Sequence, residues 1–351
     1  MATLTEVAYT TRKLIKFSGV VLVFLIIFRF SYQAFSLWWE QTHPKPPPPP
    51  TVAFGKLPKI NFPANSNGNF TLNLELVTQE FPEFSDRAKV FVMPYKKNSF
   101  LAFDQAKAVA AGYGFGSEPE AINTEIYKWT NLSPITSVLT LNIIDGSFEY
   151  TYNWQEDQTI LQERNIPGQQ QAINDTRDFV TRSTGSNPDL LNAQAKVNYF
   201  KVAGTKLLPA VSFSEAQFTQ VDIYRALIDT LPVVTQNPDQ GIISALLSGS
   251  QAKKFLKVYN NYFPVNYGQL ATYPIKSAAK AWEDLKNGKG YIAKIPDNQT
   301  DITVRRIYLG FYDTYDPQSY LQPVFIFTDN EGFFGSNKFV AYVPAIIDLW
   351  Y

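Results

Sequence analysis

The sequence predicts an α+β protein in which an N-terminal transmembrane helix and a proline-rich spacer precede two lobes of mostly antiparallel sheet with short packed helices. Three observations lead there. An uncharged apolar run near the N-terminus is flanked by basic residues, a run of prolines follows it, and from Thr71 onward short segments alternate apolar and polar residues at period two. The 351 residues are 45% hydrophobic and 18% charged, enough apolar material for a sizeable core. Aromatic residues make up 15%, including 27 Phe and 20 Tyr, which suits pleated faces where rings pack and tyrosine hydroxyls reach water.

The apolar run 17–28 reads FSGVVLVFLIIF, and apolar character resumes after Arg29 as FSYQAFSLWW. Twelve residues at about 1.5 Å each fall short of a hydrocarbon layer about 30 Å thick. The span is therefore placed at 14–39, with Lys16 snorkelling to one interface, Arg29 reaching the other or a partner, and Trp38 and Trp39 as interfacial anchors. Arg12, Lys13 and Lys16 precede it, so the tail 1–13 is expected in the cytoplasm and the C-terminal domain outside the cell membrane. A cleaved signal peptide competes with this single-pass signal-anchor reading, but no small-residue cleavage site follows the run.

A proline-rich linker is expected over 40–69. Its segment 43–50, HPKPPPPP, favours a polyproline II rod that holds a domain off the bilayer. The same stretch also fits a ligand for an aromatic-lined groove.

The first lobe is placed at 70–190, helical connector included. Segments 71–78 and 89–95 read as strands, and 103–111 as a helix with Asp104 near its positive end and Gly112 at its stop. Segments 125–130, 138–144 and 147–154 read as strands, the last two forming a hairpin about Asp145-Gly146. Helical segments follow at 172–180 and 189–199.

The second lobe is placed at 191–351. Strands are expected at 197–202, 206–211, 216–227, 231–234, 241–247 and 254–262. A helix begins at Ser277 or Lys276 and stops at Gly288, with Ala278, Ala281, Trp282 and Leu285 on one face. Strands at 302–311, 321–327 and 338–346 close the chain, with a turn at 329–332. The helix FDQAKAVAA of the first lobe compares with SAAKAWEDL of the second, which suggests two related units.

The residue inventory narrows the chemistry. There is no Cys, and the single His43 lies in the linker. Thiol nucleophiles, Cys-ligated metals and His-based dyads or triads therefore have no residues to use. From residue 46 onward 26 basic residues face 29 acidic ones, a net of −3 that gives no electrostatic reason to bind nucleic acid. The Gly112-Tyr-Gly-Phe-Gly cluster follows a helix and lacks the Walker lysine, so it is not a phosphate loop. No catalytic, cofactor or metal residues are assigned.

Asp222, Asp229, Glu283, Asp284, Asp313, Asp316 and Asp329 are the acids to search for paired-carboxylate chemistry, and exposed loop acids are the expected reading. Ser248-Gly-Ser250 lacks the setting of a nucleophile elbow. Trp282 is expected in the core. Tyr291, Tyr308, Tyr312, Tyr315, Tyr320 and Tyr342 are the candidate protein or glycan contacts, because strand alternation turns some of them outward. Asn69, Asn131, Asn174 and Asn298 match the glycosylation acceptor pattern.

Tyr273-Pro-Ile-Lys-Ser277, the helix Ala281-Trp-Glu-Asp-Leu-Lys-Asn-Gly288, the strand 304–312, Leu321-Gln-Pro-Val-Phe325 and Phe339-Val-Ala-Tyr-Val-Pro-Ala345 resemble the repeated module of the YycH/YycI-type extracytoplasmic regulators, best over 200–346. The helix-plus-hairpin pattern is also similar to PepSY-like domains. The resemblance implies one N-terminal anchor, an α+β ectodomain and modulation of a membrane-bound sensor histidine kinase. The proline rod and the stretch before about 190 depart from that family.

These features lead to a non-enzymatic, membrane-anchored regulatory or binding protein of the cell envelope. Its expected partners are the bilayer, another membrane or envelope protein, and a second copy of itself. A structural subunit of a surface assembly and a carboxylate-dependent envelope hydrolase are the alternatives.

Overall fold

The computed structural model describes residues 4–42, 49–64, 70–96, 99–185, 188–296, 299–330, 332 and 338–351. The chain divides into two compact units, 1–49 and 50–351.

The first unit is the helix α1, Leu4–Thr42, which contains a 29-residue stretch, Thr11–Trp39, of mean hydropathy 2.1. At about 1.5 Å per residue it exceeds the ~30 Å hydrocarbon layer, so among the described residues one N-terminal helix is long and apolar enough to anchor the chain in a bilayer. Hydroxyls inside it are satisfied locally: Ser18 and Ser36 each donate to a carbonyl three residues back, at 2.9 Å. Trp38 and Trp39 lie at its end with their rings 5.8 and 5.9 Å from that of Phe35. The rod expected at 43–50 falls mostly outside the described residues, which include only Pro49 and Pro50 of it.

The second unit is built on two large sheets. One has nine strands, formed by β3 (Glu120–Ala121), β4 (Ile126–Asn131), β5 (Ser137–Asn142), β6 (Phe148–Tyr152), β7 (Ala195–Ala203), β8 (Lys206–Pro209), β9 (Phe218–Ile223), β11 (Ile243–Ser248) and β12 (Phe255–Asn260). Their order is β3-β4-β5-β6-β12-β11-β9-β7-β8, antiparallel throughout. The other holds β2 (Arg87–Val92), β10 (Val233–Thr235), β13 (Asn266–Pro274), β14 (Tyr291–Lys294), β16 (Arg306–Asp313), β17 (Tyr320–Thr328) and β18 (Val340–Pro344). Its path is β10-β16-β17-β18-β14, with β2 joining β17 to β13. A small parallel pair, β1 (Thr71–Leu74) with β15 (Asp301–Val304), completes the strands.

Helices α2 (Ala102–Gly112), α3 (Gln158–Gln162), α4 (Gln169–Thr184) and α5 (Pro188–Leu191) accompany the nine-stranded sheet, and α6 (Ala278–Lys286) the other. α2 contributes Ala106 and Ala110 and α4 contributes Ala172, Phe179 and Val180 to one core with Trp129, Leu139 and Val258. α6 begins as its sequence predicts: the Ser277 hydroxyl accepts from the Lys280 N–H, and Gly288 follows at φ +73. It buries Ala278, Ala281, Trp282 and Leu285, with the Trp282 ring 5.9 Å from Phe327.

Three expectations need correction. The sheets are not divided at 190: β6 pairs with β12, and the nine-stranded sheet runs from 120 to 260 with β10 alone diverted to its neighbour. The helix expected at 189–199 is only α5, and the chain turns to strand at Ala195, where Val197, Tyr199 and Phe200 pair with β9 and override helical spacing. The single strand expected over 302–311 splits at Arg305 into β15 and β16, which join different sheets.

Candidate functional site

The central strands of the seven-stranded sheet are buried on both faces. α6 packs on one, against Leu309, Phe325, Phe327 and Val343. On the other, Ile60 and Phe62 pack against Val324, Ile326 and Tyr342. Both come from the segment 50–62, an extended strap fastened by polar bonds. Tyr273 donates its hydroxyl to the Gly55 carbonyl at 2.9 Å, Gln322 Nε2 donates to the Pro58 carbonyl at 2.9 Å, and the Leu57 N–H donates to Trp350 O at 2.7 Å.

This double cover decides the fate of the candidate tyrosines. Tyr291, Tyr312 and Tyr342 are buried, and Tyr308, Tyr315 and Tyr320 are half-buried. The Phe62 ring stacks on Tyr291 at 5.5 Å and meets Tyr312 edge-on at 4.8 Å, with Tyr342 at 5.7 Å from Tyr312. The Tyr315 hydroxyl donates to the Gln240 carbonyl at 2.8 Å, and Tyr320 packs its ring 5.2 Å from Phe54. Tyr291, Tyr312 and Tyr342 are therefore interior, since alternation exposes a strand face only where nothing covers it, while Tyr308, Tyr315 and Tyr320 keep part of their surface open. Burial alone pushes the Tyr150 phenol to about 12, and burial also raises Tyr342 well above its usual range.

The acids were expected in exposed loops, and three of the seven are buried instead. Asp313 accepts from Arg225 Nε at 2.8 Å; Arg225 also donates to Asp189 at 2.8 Å and to the Phe263 carbonyl at 2.7 Å. Burial raises the Asp313 carboxyl against the pull of the Arg225 guanidinium, which is protonated at any ordinary pH. Asp222 accepts from Gln220 Nε2 at 3.1 Å and from the Gly241 N–H at 3.3 Å; burial raises its carboxyl above the ordinary value despite these bonds. Asp284 accepts from Lys276 Nζ at 2.8 Å, with Lys280 and Lys289 at 3.5 and 3.7 Å from its other oxygen. Burial opposes its charge, yet the Lys276 hydrogen bond and the three ammonium groups hold it below the ordinary carboxylate value.

The remaining acids stay near the surface. Asp229 pairs with Lys89 at 2.6 Å, Glu283 with Lys280 at 3.4 Å, and Asp329 accepts the backbone N–H groups of Lys338 and Phe339 at 3.0 and 3.1 Å. Asp316 lies in a bend closed by its own N–H donating to Thr314 Oγ1 at 2.8 Å. The Ser248 hydroxyl donates to the Lys253 carbonyl at 2.7 Å and is a structural bond of that turn. Asn131 and Asn174 are on β4 and α4, while Asn69 and Asn298 lie outside the described residues. Among the described residues no group of three or more His, Cys, Asp or Glu is placed to hold a metal ion.

Two features escaped the sequence reading. One is a cavity of about 530 Å³ lined by α6, the strap and the C-terminal residues, including Lys59, Phe62, Lys276, Asp284, Lys289 and Tyr351. The signal for it was present as spaced lysines about Asp284, but the strap that walls it is remote in sequence. The other is the outer edge of the nine-stranded sheet. β8 ends the sheet, and Leu208, Val211 and Phe213 beside it are 43%, 93% and 50% exposed.

No protein-family model matches the chain, and no curated protein matches it. Among solved structures, an uncharacterised protein from Eubacterium rectale ATCC 33656 is similar at 12% identity, over 80% of this chain and 90% of that one, with a TM-score of 0.37.

Proposed function

We propose that the protein is a membrane-anchored, non-enzymatic binding or regulatory module that holds its folded unit outside the cytoplasm and contacts another membrane or envelope protein. The observation that carries this reading is the β8 edge. A terminal strand presents unpaired backbone groups, and apolar side chains as open as Val211 and Phe213 are suited to strand addition or hydrophobic docking. Pro209 ends the strand and limits indiscriminate pairing. The narrower role, regulation of a sensor histidine kinase, rests on the C-terminal sequence resemblance to YycH/YycI-type regulators.

The test is site-specific photocrosslinking in the full-length, membrane-embedded chain, with benzoylphenylalanine in place of Val211 or Phe213. The expected result is one discrete heterologous membrane protein, identified by mass spectrometry and lost in the Leu208→Glu background. A histidine kinase in that adduct supports the narrower role. Homotypic adducts alone overturn the regulatory reading in favour of a structural assembly, and absence of any adduct removes the edge as the contact.

A further inference from the structure

We propose that the cavity between the strap and α6 is a binding site for a small organic monoanion with an aromatic or branched apolar body. Its volume, about 530 Å³, lies within the range of small-molecule sites. The apolar part of the wall is Ile60, Phe62 and Pro344.

Charge supplies the sign of the ligand. Lys276 is committed to Asp284 at 2.8 Å and Asp348 at 3.4 Å, and Lys280 is shared with Glu283 at 3.4 Å. Lys289 has only the already bonded Asp284, at 3.7 Å, and Lys59 makes no ion pair among the described residues. Four ammonium groups thus face three carboxylates, an excess of one positive charge, and the two least neutralised, Lys59 and Lys289, both line the cavity. Tyr351 closes the C-terminal side of the cavity. A carboxylate seated against the two lysines, with its ring against Phe62, neutralises that excess charge.

The test uses the full chain in lipid nanodiscs, with ligand-observed saturation-transfer NMR and empty nanodiscs as the blank. Benzoate is the probe, and benzylamine and benzyl alcohol are its cationic and neutral counterparts. Benzoate is expected to bind in preference to both, and Lys59→Gln with Lys289→Gln to weaken it by about tenfold or more, as loss of charged hydrogen bonds does. Both lysines are exposed, so the double variant keeps its fold. Failure of benzoate to bind, equal binding of benzylamine, or unchanged benzoate affinity in the double variant each overturns the proposal.

Discussion

Arg225 Nε donates to Asp313 Oδ2 at 2.8 Å with neither side chain exposed, and this pair ties the nine-stranded sheet to the seven-stranded one. Arg225 follows β9 and Asp313 ends β16. The guanidinium is otherwise filled by Asp189 and the Phe263 carbonyl, with the Tyr262 ring 4.9 Å from it. Arg225→Met leaves the Asp313 carboxyl buried without its partner, and is expected to destabilise by about 3–5 kcal/mol. Arg225→Met combined with Asp313→Leu removes both charges and is expected to recover most of that loss. Urea unfolding of the three proteins checks it; no recovery in the double variant shows that the contact does more than neutralise Asp313.

Asp284 gives an acid-limb prediction. Its folded pKa is depressed below 3.8, so its ion pairs contribute stability that is complete above the unfolded value and is lost as pH falls through the folded one. Asp284→Asn is therefore expected to lower Tm at neutral pH and to flatten its fall below about pH 4. A thermal melt series through the acid range measures both, and an unchanged acid limb rejects the assignment.

Asp222 has the opposite sign. Burial raises its folded pKa, so the folded state holds the proton more tightly than the unfolded one, and stability declines as pH climbs from about 3.8 through the folded value. Asp222→Asn can keep the Gly241 N–H bond through its amide oxygen, with the Gln220 amide rotated to accept. The expected outcome is a higher Tm at pH 7 and no decline above pH 4; a lower Tm there shows that the ionised carboxylate is needed.

The strands, the helix α6 and its Ser277 cap were legible because each is a local pattern. Period-two alternation, a hydroxyl before an apolar stripe and a glycine after it are all written within about ten residues. The Asp145-Gly146 hairpin was legible for the same reason, Gly146 adopting φ +82. What failed was long-range. Nothing near Tyr312 or Tyr342 in sequence says that Phe62, some 250 residues earlier, covers them. Neither does the neighbourhood of Asp313 reveal Arg225, 88 residues away. The cavity and the β8 edge are likewise products of sheet order, which alternation cannot assign.

Close backbone approach makes Gly310 a sharper test than most glycines. It lies in β16 with β17 on one side and Pro232 on the other, and a Cβ there meets Ile326 Cδ1 at 2.6 Å and the Pro232 carbonyl at 2.7 Å. Gly310→Ala is expected to destabilise by about 1–3 kcal/mol through overpacking. At Gly288, φ +73 with open space around the added Cβ, alanine brings only backbone strain of about 1 kcal/mol. Equal losses at the two positions, measured by urea unfolding, reject the steric account of Gly310.

Orientation in the bilayer is testable because the chain has no Cys, so an introduced thiol is the only one present. Arg12, Lys13 and Lys16 sit at the N-terminal end of the Thr11–Trp39 stretch, while the far end carries Trp38, Trp39 and Glu40. The positive-inside rule leads to the expectation that the basic end stays in the cytoplasm and the unit that follows is exported. Arg29 does not reverse this, since it lies within the span and can reach the outer interface by snorkelling. Ala2→Cys and Glu80→Cys, made singly, are expected to differ on intact cells: a membrane-impermeant maleimide labels Glu80→Cys at once and Ala2→Cys only after permeabilisation. The reverse pattern places the folded unit in the cytoplasm and removes every proposal that needs an extracytoplasmic partner. Labelling of Glu80→Cys in the medium, with no membrane-bound product, shows instead that the helix is cleaved, and the anchor is then a signal peptide.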